Sequence, residues 1–119
     1  MDKIPKVIFK DIERIIGRDF GKSNNEKVLS QLEEYGTEEW HSEKLRVWSA
    51  ILKLANKEID NLSDLIEIAK NDYRDVLGPT EYPIFWEMGF SKEEKLSHND
   101  RNKYRKENWN QYQEWFNSK

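Results

Sequence analysis

Cysteine is absent from this chain, which removes disulfides and thiolate-ligated metals and leaves packing alone to hold the fold. Histidine is scarce, two in 119 residues, so imidazole chemistry could come only from His41 and His98. Long apolar runs are missing as well. The N-terminus MDKIPKVIFKDIERII interleaves charged with apolar residues, unlike a signal peptide or a membrane span. A soluble protein of a reducing compartment, most simply the cytoplasm, is expected. There is no Gly-x-Ser-x-Gly elbow, the serines stand in capping or loop contexts, and the glycine-containing loops RDFGKSNN and EYGTEE lack the spacing that wraps backbone amides round a phosphate. No catalytic residue and no cofactor are expected on these grounds.

Neither charge sign dominates, and the net charge is −3. It is unevenly spread: residues 1–22 carry six Lys/Arg against four Asp/Glu, residues 23–79 seven against twelve, and residues 80–119 seven against seven. The acidic middle disfavours a phosphate-neutralising surface there, because nucleic-acid binding relies on clustered Lys and Arg. Hydrophobic and charged residues each make up 36%, which is polar for a globular chain, but 13% aromatics argue for a packed core over disorder. At this length one domain spanning 1–119 is expected.

The periodicity predicts an all-α fold, a compact bundle of about five helices with a central antiparallel helical hairpin. Ile4, Val7, Ile8, Ile12, Ile15 and Ile16 follow helical spacing over 4–17, with Pro5 in a first turn and Gly17 as the stop. A short second helix starts at Asn24 or Asn25, buries Val28, Leu29, Leu32 and Tyr35, and ends at Gly36. The third runs from Thr37 or Ser42 to Asn56 with Leu45, Trp48, Ile51, Leu52 and Ala55 on one face, the strongest stripe in the chain. Asp60 caps a fourth, with Leu62, Leu65, Ile66, Ala69, Tyr73, Val76 and Leu77 buried and Gly78-Pro79 as its stop. Residues 43–77 then form the hairpin. TEYPIFWEMGF reads as a packed connector that avoids helix and returns Phe85 and Trp86 to the core. Ser91-x-x-Glu94 and Ser97-x-x-Asp100 look like helix starts, and 99–117 gives a last helix with Tyr104, Trp109, Tyr112, Trp115 and Phe116 on its face.

The block ILKLANKEIDNLSDLIEIAKNDYRDVLGPTEYP, residues 51–83, resembles a segment of small uncharacterised bacterial proteins in which an apolar helix, a short acidic turn and a DYRDVL…EYP ending recur. The resemblance spans about a third of the chain and implies an architecture without an activity.

The candidate chemistry is sparse. Asp72 and Asp75 are three apart on a helix and could share a cation or divide acid and base roles, with Glu67 or His41 as partners, but neither a shifting neighbour nor a coordination shell is visible. The plainer reading is a structural corner of Asp72, Tyr73, Arg74, Asp75, Tyr82 and Pro83, held by Asp–Arg pairing. Glu38-x-x-His41 has the spacing of di-metal bundles, which need it twice; His98 has Lys95 at the equivalent position, so no metal site is expected and His41 becomes an exposed first-turn residue beside a buried Trp40. RNKYRKENWNQYQEWF alternates Arg101, Lys103, Arg105 and Lys106 with Tyr104, Trp109 and Tyr112, which could track single-stranded nucleic acid, although its region has no net charge. Nine of the fifteen aromatics fall after residue 79. Tyr82, Phe85, Trp86, Phe90, Trp109 and Trp115 are accordingly the candidate partner-binding set for a non-enzymatic protein acting through protein contacts, an inhibitor or immunity-type partner among the possibilities.

Overall fold

The computed structural model describes residues 4–38, 41 and 43–119, except for the side chain of Phe90. Trp40 and the expected start at Ser42 therefore lie outside the described residues. The fold is all-helical: among the described residues eight α-helices and two 3₁₀ turns make up the regular structure. The helices are α1 (Phe9–Asp19), α2 (Asn25–Leu32), α3 (Lys44–Ala55), α4 (Leu62–Asn71), α5 (Arg74–Glu81), α6 (Pro83–Met88), α7 (Phe90–Glu94) and α8 (His98–Asn117). About five were expected, and the excess comes from breaks and starts that were misread.

The first helix begins later than its apolar spacing suggests. Ile8 is extended, and its N–H donates to Asp11 Oδ2 at 3.0 Å, which closes the N-terminus one turn beyond Pro5. Gly17 does not stop it, because the flanking Ile15, Ile16 and Phe20 are buried and outweigh the roughly 1 kcal/mol that a helical glycine costs. The stop is Gly21, whose φ of +88° supplies the left-handed residue just past the C-cap Phe20.

The expected fourth helix is two helices. Asp72 leaves helical geometry at φ −159°, and its Oδ1 accepts the Arg74 N–H at 3.0 Å, a side-chain turn that ends α4 and starts α5. Gly78 and Pro79 then lie inside α5 and do not end it. Pro79 lacks the N–H that would bond the Asp75 carbonyl, and Asp75 is exposed, so solvent can satisfy that oxygen. Pro83 likewise does not keep the chain out of helix: it occupies the first turn of α6, where its missing donor costs nothing. The expected connector is thus partly helical.

The core forms where α3 crosses α1, α4 and α5, its most extensive neighbour being α5. Ile12, Ile15, Ile16, Val28, Leu32, Tyr35, Val47, Ile51, Leu52, Ala55, Leu62 and Val76 are fully buried there. Trp48 joins them, its indole N–H donating to the Tyr35 carbonyl at 3.2 Å. α3 closes on Asn56 at φ 51° and Lys57 at φ 67°, with Asn61 Nδ2 donating to the Ala55 carbonyl at 3.1 Å.

α8 is laid on this core by other means. Ser97 caps it as expected, its Oγ accepting the Asp100 N–H at 3.1 Å. Its buried contacts are polar or aromatic: Tyr112 shares a 2.7 Å hydrogen bond with Ser49 of α3, and Gln111 Nε2 donates to the Thr80 carbonyl of α5 at 2.8 Å. Burial pushes the Tyr112 phenol up to about 12, with the Ser49 hydrogen bond acting against the shift. At its far end Arg18 of α1 donates to the carbonyls of Trp115 at 2.7 Å and Ser118 at 2.8 Å and lies 5.2 Å from the Trp115 ring centre. Arg14 does the same for Phe116, donating to its carbonyl at 2.8 Å from a position 5.3 Å over its ring. Two cations thus meet the last carbonyls of a long helix, where its dipole favours them.

Candidate functional site

The middle turns of α8, residues 105–112, lie beside the end of α5 and the body of α6 and leave a hollow there. Between them, with the chain entering at Ile4 and Pro5, is a cleft of about 860 Å³. Its walls are Tyr82, Phe85 and Trp86 on one side and Trp109 and Tyr112 on the other, with Arg46, Glu81, Glu93, Arg105, Lys106 and Asn108 among the polar lining. Trp86 remains 44% exposed, so it is not returned to the core, and Phe85 is only partly buried, its ring edge-on to Tyr104 at 6.3 Å. Trp86 lies over Gly78: a β-carbon there would stand 2.2 Å from the indole Cε3. The glycine read as a helix stop is instead what lets the indole approach the α5 backbone.

Both carboxylates of the cleft are engaged by arginines. Arg46 Nε donates to Glu81 Oε2 at 2.7 Å, and this hydrogen bond raises the guanidinium further above its ordinary value. Glu93 is held by Arg101 at 3.2 Å. Burial raises the Tyr82 phenol. Asn108 is 3% exposed, and its Oδ1 accepts the Ile84 N–H at 3.1 Å, satisfying one of the free donors at the start of α6. Its Nδ2 has no hydrogen-bond partner.

Of the candidate partner-binding residues, the structure gathers Tyr82, Phe85, Trp86 and Trp109 at this cleft. The Phe90 side chain lies outside the described residues. Trp115 sits elsewhere, packed against the core below Arg18 and bordering a second hollow with Asp19, Lys53 and Gln111. Burial lowers the Lys53 pKa there. The structural corner also divides. Asp72 and Arg74 pair at 2.9 Å across the α4–α5 break, on a strongly exposed arginine, and that hydrogen bond holds the Asp72 carboxyl below its usual range. Asp75 is exposed, Tyr73 packs on the core, and Tyr82 and Pro83 form a separate break between α5 and α6.

His41 lies outside the helix, not in its first turn. Its ring stacks on Tyr35 at 4.6 Å, and Nδ1 accepts the N–H groups of Gly36 at 2.9 Å and Glu38 at 3.3 Å. Among the described residues no group of three or more His, Asp or Glu is arranged to hold a metal ion, and no helix is long and apolar enough to cross a membrane.

The residues that sequence reasoning missed are the polar ones beneath the aromatics: Arg46, Glu81, Asn108 and Gln111. One signal was available. Asn108 stands four residues before Tyr112 and four after Tyr104, so it occupies the same helical stripe, where a polar residue should raise the question of its partner. Compared with known protein families, curated proteins and solved structures, the chain matches none.

Proposed function

We propose that this is a non-enzymatic binding protein of the cytoplasm that acts through protein contacts, with the aromatic cleft as its contact surface and an inhibitor or immunity-type role among those it could serve. The observation that carries the reading is where apolar surface is left uncovered. Of the six large hydrophobic side chains exposed among the described residues, Ile4, Tyr82 and Trp86 all border this cleft. Half-exposed tyrosine and tryptophan in a concavity supply large contact area with few rotamers to freeze, the usual character of interface anchors. In this reading α3 and α4 are the central antiparallel pair of the scaffold, joined through the 3₁₀ turn Ile59–Asn61.

Other chemistries draw less support. Asp72 is paired with Arg74, and Asp75 is exposed and belongs to no metal-holding cluster among the described residues, which gives acid–base or metal chemistry little to work with. On α8 the aromatics engage protein: Tyr104 meets Phe85, and Tyr112 stacks with Phe116 at 5.7 Å, which leaves fewer faces for bases.

The test is capture from native lysate followed by reconstitution with the purified partner. A protein retained by wild type and by Lys53→Ala in the second hollow, but lost with Trp86→Ala and Tyr82→Ala, is the expected result. Retention by all four would remove the cleft from the function.

A further inference from the structure

The cleft's floor and rim carry information about what fills it. Because a backbone N–H can only donate, the contact from Ile84 identifies the Asn108 atom it meets as the amide oxygen and leaves Nδ2 as a donor. That donor is without an acceptor on a residue 3% exposed. The neighbouring Gln111 directs its amide nitrogen to the carbonyls of Thr80 and Asn108. A buried donor left unmade is costly, and an occupant bringing an oxygen would remove that cost on binding.

The rim adds a sign. Both carboxylates of the lining, Glu81 and Glu93, are already engaged, by Arg46 and Arg101, and Lys106 of α8 is exposed at the rim. Lys106 thus offers a positive charge at the mouth in a chain whose net charge is −3. Complementary potential steers and selects partners more than it strengthens them.

Resting on the protein-contact reading, we propose that the occupant is a short peptide segment of the partner that sets an apolar side chain against Trp86, gives a carbonyl oxygen to Asn108 Nδ2, and carries an acidic residue toward Lys106. A peptide satisfies all three at once, because every residue brings a carbonyl and adjacent side chains differ in polarity. The volume, about 860 Å³, lies within the ~300–1,000 Å³ that concave sites present to their ligands.

A displayed library of random peptides, selected on the full chain, provides the probe. Enriched peptides should place Asp or Glu beside a large apolar residue, and binding should weaken about tenfold or more in Lys106→Glu and in Asn108→Asp, which keeps the acceptor for Ile84 and removes the donor. Lys106 is exposed, so its variant tests the charge without disturbing the fold. The side-chain amide signal of Asn108 in wild type should shift on peptide addition, a readout that needs no variant. Peptides that depend on Trp86 but ignore Lys106 and Asn108, or that are basic, overturn this occupant and leave the protein-contact reading standing. Peptides that bind Trp86→Ala as well as wild type overturn the cleft as a contact surface.

Discussion

Residues 9–81 and residues 83–117 both bury helix faces, and they do it with different chemistry. In the first region most buried side chains are aliphatic, packed with Phe20, Tyr35 and Trp48 round α3 in one continuous cluster. In the second, the buried residues among those described are Asn108 and Tyr112, and α8 is secured by hydrogen bonds with Ser49, Thr80 and Ile84 and by two arginines at its end. Apolar burial scales with area and stabilises the scaffold, whereas each polar contact adds little net free energy and depends on its geometry. The comparison teaches that one part supplies stability and the other supplies placement, with exposed aromatics tolerated where placement is the task.

Three substitutions would break or sharpen this division. Trp48→Ala should have the largest effect, about 3–5 kcal/mol lost in urea unfolding, because it empties a 2%-exposed site at the centre of the first region; a loss below 1 kcal/mol would erase the distinction. Arg18→Ala should cost about 1–3 kcal/mol by removing charge-assisted contacts to the last turn of α8. Hydrogen exchange should then speed up in α8 while α3 stays protected, and equal acceleration in both would mean that the two regions open as one. Gly78→Ala should change stability least, within about 1 kcal/mol, since alanine's better helix propensity offsets the displaced indole. Its tryptophan fluorescence should nevertheless shift, and the shift should vanish in a Trp86→Phe background.

The first region was the more legible in sequence because its core is mostly aliphatic. Trp48, Ile51, Leu52 and Ala55 repeat at steps of three and four, and all are buried. Aliphatic burial follows periodicity because it asks only for a face. The helix ends were harder: Gly17 and Gly78 read as stops but continue their helices, because surrounding burial overrides local preference, whereas Asp72 breaks a helix through a single side-chain hydrogen bond. In the second region four of the six candidate aromatic residues meet at the cleft. Arg46–Glu81 could not be foreseen, because its partners lie 35 residues apart and only the packing of α3 against α5 brings them together.

The hydrogen bonds that α8 makes with Ser49, Thr80 and Ile84 also act as a vernier. A ring-lined helix face slides easily, since one aromatic contact resembles the next, but a slip of one turn, about 5.4 Å, would unmake all three bonds together. The wall carrying Trp109 therefore has a single setting opposite Trp86, and the width of the gap between the two indoles is defined before anything enters it.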